Sequence, residues 1–285
     1  MNGKDSYYIR FIEEALELCK KIPRYFSKYS NRIFCNHQKL VLLILKQKLK
    51  TTYRELIEIL KISKIPLLIG LKRIPHHTTL VKFAKRIGSK LLEYLLPFKR
   101  AKIAGVDSTG FSVGVRSIHY LLRTKKRIYR RYIKLGLSAD MQKLTILRYA
   151  INKGPRNDNK DFLKLIKDLD IDYLVADKAY SSKKNRNYIL FKKKAIPIIP
   201  YKKTEGVFKF RNGKILKFDD NLYHQRSKIE TIFSVIKRKF GSSLSSRSFI
   251  MQKKELIFRL VAYNIDRIVR NFLFLLEGFS KAKRG

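Results

Sequence analysis

Residues 102–115, KIAGVDSTGFSVGV, are where the chain changes character. The stretch is rich in small and β-branched residues and carries Gly105, Gly110 and Gly114. It reads as a strand, a turn and a second extended piece. Residues ahead of it have the period of helices, and residues beyond it bring several more strand patterns, so the chain divides near residue 99 and the second part is of the α/β class.

Downstream, Tyr132 to Leu137 and Leu144 to Ile151 are two further strand candidates, with Ala139 to Lys143 as the turn between them. Gly154 and Pro155 end that meander, and a helix continues to about Leu169, with Asp158 or Asn159 at its start. Asp158 is read first as that helix cap and second as an auxiliary acidic group. The buried-type strand YLVAD (173–177), a helix from Ser182 to Phe191 and the short strand AIPII (195–199) come next. The dipeptide Asn212-Gly213 suggests a small hairpin within Tyr201 to Asp220. A long helix then runs from Leu222 to Gly241. Three strands, helix, strand, helix, strand and helix is the order of the ribonuclease H-like fold, a mixed sheet with helices on both faces.

Upstream, Phe11, Ile12, Ala15, Leu16, Leu18 and Cys19 recur at helical spacing, Leu40 to Leu49 form a second apolar segment, and Thr52 with Glu55 makes a capping box. HTTLVKFAKRIG (77–88) is a further helix, and Lys90 to Leu96 adds another before Pro97. Residues 1–98 thus read as a small all-helical domain ahead of a catalytic-type domain at 99–285. Its basic short helices suit a DNA-binding helix-turn-helix; a plain packing domain is the alternative. The polar connection SSLSSRS (242–248) leads to a strongly apolar closing helix at 254–278.

The 285 residues carry 65 Lys and Arg against 22 Asp and Glu, a formal net charge of +43. Such an excess calls for a polyanionic partner, and nucleic acid is the natural one. An anionic membrane fits poorly, because no apolar run approaches the ~20 residues of a spanning helix. The first residues lack the apolar core of a secretory signal, so a cytoplasmic, nucleoid-associated protein is expected. Cys19 and Cys35 have no paired metal spacing and read as reduced, partly buried residues; the five histidines form no ligand cluster, which disfavours zinc.

In LYHQRSKIETIFSVIKRKFG (222–241), helical counting gathers Tyr223, Arg226, Glu230 and Lys237 within about 60°, beside a stripe of Ile229, Ile232, Phe233, Ile236 and Phe240. One stripe packs and its neighbour faces outward. Glu230 and Lys237 lie roughly 10 Å apart along the axis, a reach suited to neighbouring phosphates. Asp219, Asp220 and Asn221 are cap candidates before this helix, and Gly241 stands just past its end.

Tyr223, Arg226, Glu230 and Lys237 at these spacings resemble the Tyr-Arg-Glu-Lys signature of DDE transposases from prokaryotic insertion sequences of families four and five. DSTG (107–110), GPRND (154–158), ADKAYSS (176–182) and AYNIDRI (262–268) look like that family's other motifs, in its order. Where such enzymes commonly show Asp-Lys-Gly-Tyr, this chain has Ala179, and Asn157-Asp158-Asn159 replace His-Asp-Ser. The resemblance implies a catalytic and metal-binding triad of Asp107, Asp177 and Glu230. Hard carboxylate oxygens of that kind hold two Mg²⁺ ions, with Mn²⁺ as a substitute, about 3.5–4 Å apart. It also implies that Tyr223, Arg226 and Lys237 grip phosphates, with Lys178 and Arg238 as further DNA contacts. The expected partners are the element's terminal inverted repeats and target DNA, handled by a synaptic homodimer. A metal-dependent nuclease of the same fold without strand transfer, and a non-catalytic domesticated nucleic-acid-binding relative, are the rival readings.

Overall fold

The computed structural model describes residues 6–96, 98–114, 132–202 and 218–282. The expected hairpin around Asn212-Gly213 lies outside them. Helices α1 (Tyr7–Cys19), α2 (Asn36–Lys48), α3 (Tyr53–Ile62), α4 (Ile65–Leu68), α5 (His77–Arg86) and α6 (Ser89–Leu92) form the N-terminal part. The capping box forms as the sequence asks: Thr52 N–H donates to Glu55 at 2.7 Å and Glu55 N–H to Thr52 Oγ1 at 3.2 Å. Cys35 is a second capping residue, accepting from Gln38 N–H, and both cysteines are free and buried.

The sheet comprises β1 (Arg100–Val113), β2 (Tyr132–Asp140), β3 (Ile146–Lys153), β4 (Asp170–Ala176), β5 (Ile196–Ile198) and β6 (Ser243–Leu244). Its order is β3-β2-β1-β4-β5, with β6 paired to the end of β1. β1 runs antiparallel to β2 and parallel to β4, so the sheet is mixed. Helices α7 (Asn159–Ile166), α8 (Lys183–Asn187), α9 (Asp220–His224) and α10 (Ser227–Phe240) accompany it, and α11 (Phe249–Ala282) closes the chain. This is the ribonuclease H-like arrangement.

Two details differ from the sequence reading. β1 is one continuous strand, with no turn within it, because it is central and paired to β2 from Ala104 to Ser112. Gly110 instead makes room: a Cβ there would stand 3.2 Å from the Tyr132 ring. Asp107 consequently lies within the strand. The long helix of 222–241 is also two pieces. Asp219 caps the first by accepting from Leu222 N–H at 2.9 Å, and tighter i→i−3 bonds at Arg226, Lys228 and Ile229 separate α9 from α10.

The chain forms two compact units, 98–249 and a second built from 1–97 with 250–285. The closing helix, which chain order assigned to the catalytic-type domain, therefore packs with the N-terminal helices. The reason is visible in its polar contacts. Asp266, fully buried on α11, accepts from Tyr7 of α1, from Lys48 of α2 at 2.5 Å and from Arg270 at 3.1 Å. Lys254, also on α11, donates to the carbonyls of Ala84 and Lys85 at 2.8 and 2.7 Å, closing the end of α5. Among the described residues, no helix is long and apolar enough to cross a membrane.

Candidate active site

Within the sheet unit, α10 buries Ile229, Ile232, Phe233, Ile236 and Phe240, the stripe read from the sequence. Each contributes roughly 1.5–3 kcal/mol of apolar burial. That packing sets α10 against β1 and turns its other stripe toward the strand's polar residues. Strand alternation puts Asp107, Thr109 and Phe111 on the α10 face, while Ser108 faces the α7 side.

Arg226 occupies the first position before α10 and shares two carboxylates. Its Nη2 lies 2.8 Å from Glu230 Oε1 and its Nη1 lies 3.7 Å from Asp107 Oδ2. Asp177 succeeds the last residue of β4 and accepts from its neighbour's N–H, Lys178, at 2.6 Å. Because Val106 pairs with Ala176, Asp107 and Asp177 are adjacent across parallel strands. Burial pushes the Asp107 carboxyl up; the Ser108 N–H, bonded at 2.8 Å, and Arg226 draw it back, while Asp177 and Glu230 push it further up. Asp107 thus feels both other carboxylates, and the Arg226 guanidinium stands among all three.

The donor set is of the hard-oxygen kind that divalent cations favour, and the like charge of Asp177 and Glu230 felt at Asp107 is what a cation would relieve. Among the described residues, no three acidic, His or Cys side chains stand close enough as placed to share an ion. Arg226 supplies the positive charge between Asp107 and Glu230 in the present arrangement.

A cleft of about 600 Å³ opens beside this group and is lined by Asp107, Thr109, Glu230, Ser234, Lys237 and Arg238, among others. Lys237 Nζ donates to Thr109 Oγ1 at 2.7 Å and stands 5.5 Å from the Phe111 ring centroid. Tyr223 sits on α9, outside that lining, with its ring 5.3 Å from that of Phe218. Since α9 and α10 are separate pieces, counting along one helix does not give its direction. Lys178 is exposed beside Asp177, and Arg238 is exposed at the cleft. Ala179 lies in a short 3₁₀ turn and is exposed, so its Cβ meets no obstacle from backbone conformation.

Asp158 is placed otherwise than a cap reading expects. It holds the cap position of α7, but its side chain makes no cap bond. It accepts instead from Ser108 Oγ, and Lys134 Nζ pairs with it at 2.6 Å while also donating to the Arg156 carbonyl. Buried Tyr180 lies beside this group, where burial first and Asp158 second drive its hydroxyl far above the ordinary tyrosine range. Sequence reasoning missed Thr109, Ser234 and Lys134. Alternation from Asp107 would have found Thr109; the others had no local signal.

A mixed sheet in this order sets Asp107 on its central strand beside Asp177, just past the end of the neighbouring parallel strand, with Glu230 brought in by a helix. Residues 100–265 match the family model of the transposase DDE domain, and the chain belongs to that family: it is a DDE transposase, an enzyme that acts on DNA. Enzymes of this family use divalent metal ions. Among solved structures, a piggyBac transposase synaptic complex with hairpin DNA aligns over 96% of this chain and 80% of that one, at 11% identity and a TM-score of 0.44. Among curated proteins there is no match.

Proposed function

We propose that this transposase binds the terminal inverted repeats of its own element, cleaves the element ends by phosphodiester hydrolysis and joins them to target DNA. Asp107, Asp177 and Glu230 would hold two Mg²⁺ ions, with Mn²⁺ as substitute. When bound, such ions activate the attacking oxygen and stabilise charge on the leaving one. The carrying observation is that Asp107 and Glu230, from a central strand and a separate helix, share one guanidinium at the wall of a cleft that also receives Lys237.

The chain's own groups then divide the work. Lys237, Arg238 and Lys178 offer donors to backbone phosphates, and Tyr223 offers a hydroxyl and a ring face at the neighbouring helix. Arg226 is the group that must change partner. Its fork now serves two carboxylates, and a phosphate that enters the cleft competes for the same donors in the bidentate geometry arginine favours. The N-terminal helices of the helical unit, within residues 1–97, would read the repeat sequence, and two copies would hold the paired ends in a homodimer, in the cytoplasm and on the nucleoid.

The test is neutralisation at constant shape. Asp107→Asn, Asp177→Asn and Glu230→Gln are each expected to abolish Mg²⁺-dependent cleavage of element-end DNA while leaving its binding largely intact, since the ions need the charge. Substantial cleavage by any one of the pure variants removes that residue from the site.

A further inference from the structure

The second cation of the signature, Lys237, is held by the strand beneath it. Lys237 is a flexible side chain that ordinarily gives up about 1.5–2 kcal/mol of rotamer freedom when it is fixed. Here its ammonium is already fixed, by Thr109 Oγ1 at 2.7 Å and by the Phe111 ring 5.5 Å away. Thr109 and Phe111 are the second and fourth residues after Asp107 on the same strand face, so the strand that carries the first carboxylate also sets the height of the ammonium in the cleft. An ammonium only donates, so Thr109 must accept from it. The threonine hydroxyl proton is thereby directed away from Lys237, at a residue that lines the cleft itself.

We propose that Thr109 is a positioning residue for Lys237 and, with its own hydroxyl proton, a second donor to the same DNA phosphate. The pair forms one phosphate-oxygen subsite, made of two ammonium protons and one hydroxyl proton, tied in register to Asp107. This rests on the reading of the cleft as the place where the element end is cut.

Thr109→Val keeps the shape and charge but removes the hydroxyl; Thr109→Ser keeps the hydroxyl. The probe is a labelled duplex copied from the DNA that borders the open reading frame. Single-turnover cleavage and the salt dependence of binding are measured for both variants, for Lys237→Ala and for Thr109→Val combined with Lys237→Ala. Thr109→Val is expected to lose about tenfold in rate, the scale of one hydrogen bond to a charged group. Thr109→Ser restores most of it. The double variant should be little worse than Lys237→Ala alone, because both changes remove one unit.

The salt slope gives a readout that a merely structural threonine would not move. Lys237→Ala should flatten the plot of log affinity against log salt by about 0.9, one phosphate contact. Thr109→Val should flatten it partly, although it removes no charge. A Thr109→Val enzyme that cleaves and titrates like the unaltered one overturns the inference, as do losses that multiply in the double variant. If Thr109→Val does not fold, Thr109→Ala is judged by the same criteria. Glu230→Gln runs alongside: if it is inert while Thr109→Val is fully active, only the subsite fails, whereas an active Glu230→Gln removes the proposed active site itself.

Discussion

Asp158→Asn separates two roles that the same residue could play. As a helix cap the change should be nearly silent, since Asn and Asp cap about equally well. In the structure, however, the carboxylate makes no cap bond and is paired with Lys134 at 2.6 Å, with side-chain exposures of 27% and 14% for Asp158 and Lys134. Exposed pairs are worth about 0.2–1 kcal/mol, and breaking fully buried ones costs about 3–5 kcal/mol. This pair lies between, and the Ser108 hydroxyl also loses a charged acceptor, so about 2 kcal/mol is expected. For a unit of this size that corresponds to a fall in Tm of about 4–8 °C. Thermal unfolding followed by circular dichroism measures it, and Lys134→Met in the Asp158→Asn background should add only the loss of its bond to the Arg156 carbonyl, because the partner charge is already gone. A fall of less than about 1 °C would refute the anchoring role and return Asp158 to the status of a cap.

Two further outcomes concern the same unit. Lys237→Ala should reduce cleavage of element ends by about tenfold or more, as loss of a charge-assisted contact implies, while Lys228→Ala, projecting about 180° from Lys237 on α10 by helical counting, should cost only a little non-specific attraction; equal losses in single-turnover assays would mean that the helix contributes charge without geometry. Gly154→Ala should destabilise the unit by about 1–3 kcal/mol, because the added Cβ would stand 2.2 Å from the Tyr132 ring, and Tyr132→Ala should recover part of that loss in a melting experiment.

The strands and their order were readable because buried strands advertise themselves as short apolar runs between Gly, Pro and Asp. β2, β3 and β4 fall within two residues of their expected cores at most ends, and the five buried residues of α10 are the expected ones. What misled was glycine. Gly110 looks like punctuation in a sequence, yet here it accommodates a ring from the neighbouring strand, a reason that exists only once β1 and β2 are paired. The break between α9 and α10 was likewise silent. Arg226 keeps helical dihedrals, φ −55° and ψ −37°, so the residues from Arg226 through Lys237 retain the periodicity of one helix while Tyr223 departs from it.

The grouping of α11 with the N-terminal helices changes what a deletion can reveal. Cutting away residues 1–98 looks, from chain order alone, like removing a DNA-reading domain and sparing the catalytic one. In the folded protein it would take Tyr7 and Lys48 from Asp266, whose carboxylate is fully buried and would keep Arg270 among its partners, and it would uncover the apolar residues Leu256, Ile257, Leu260 and Val261. The truncated chain would then lose function through exposed core and not through lost recognition. End reading by the helical unit is better probed by single changes on the exposed face of α5, where Lys82 and Lys85 leave the packing of Leu80, Phe83 and Ala84 undisturbed. The family match itself runs to residue 265, within α11, so the matched unit of sequence and the compact units of structure are divided at different places along the chain.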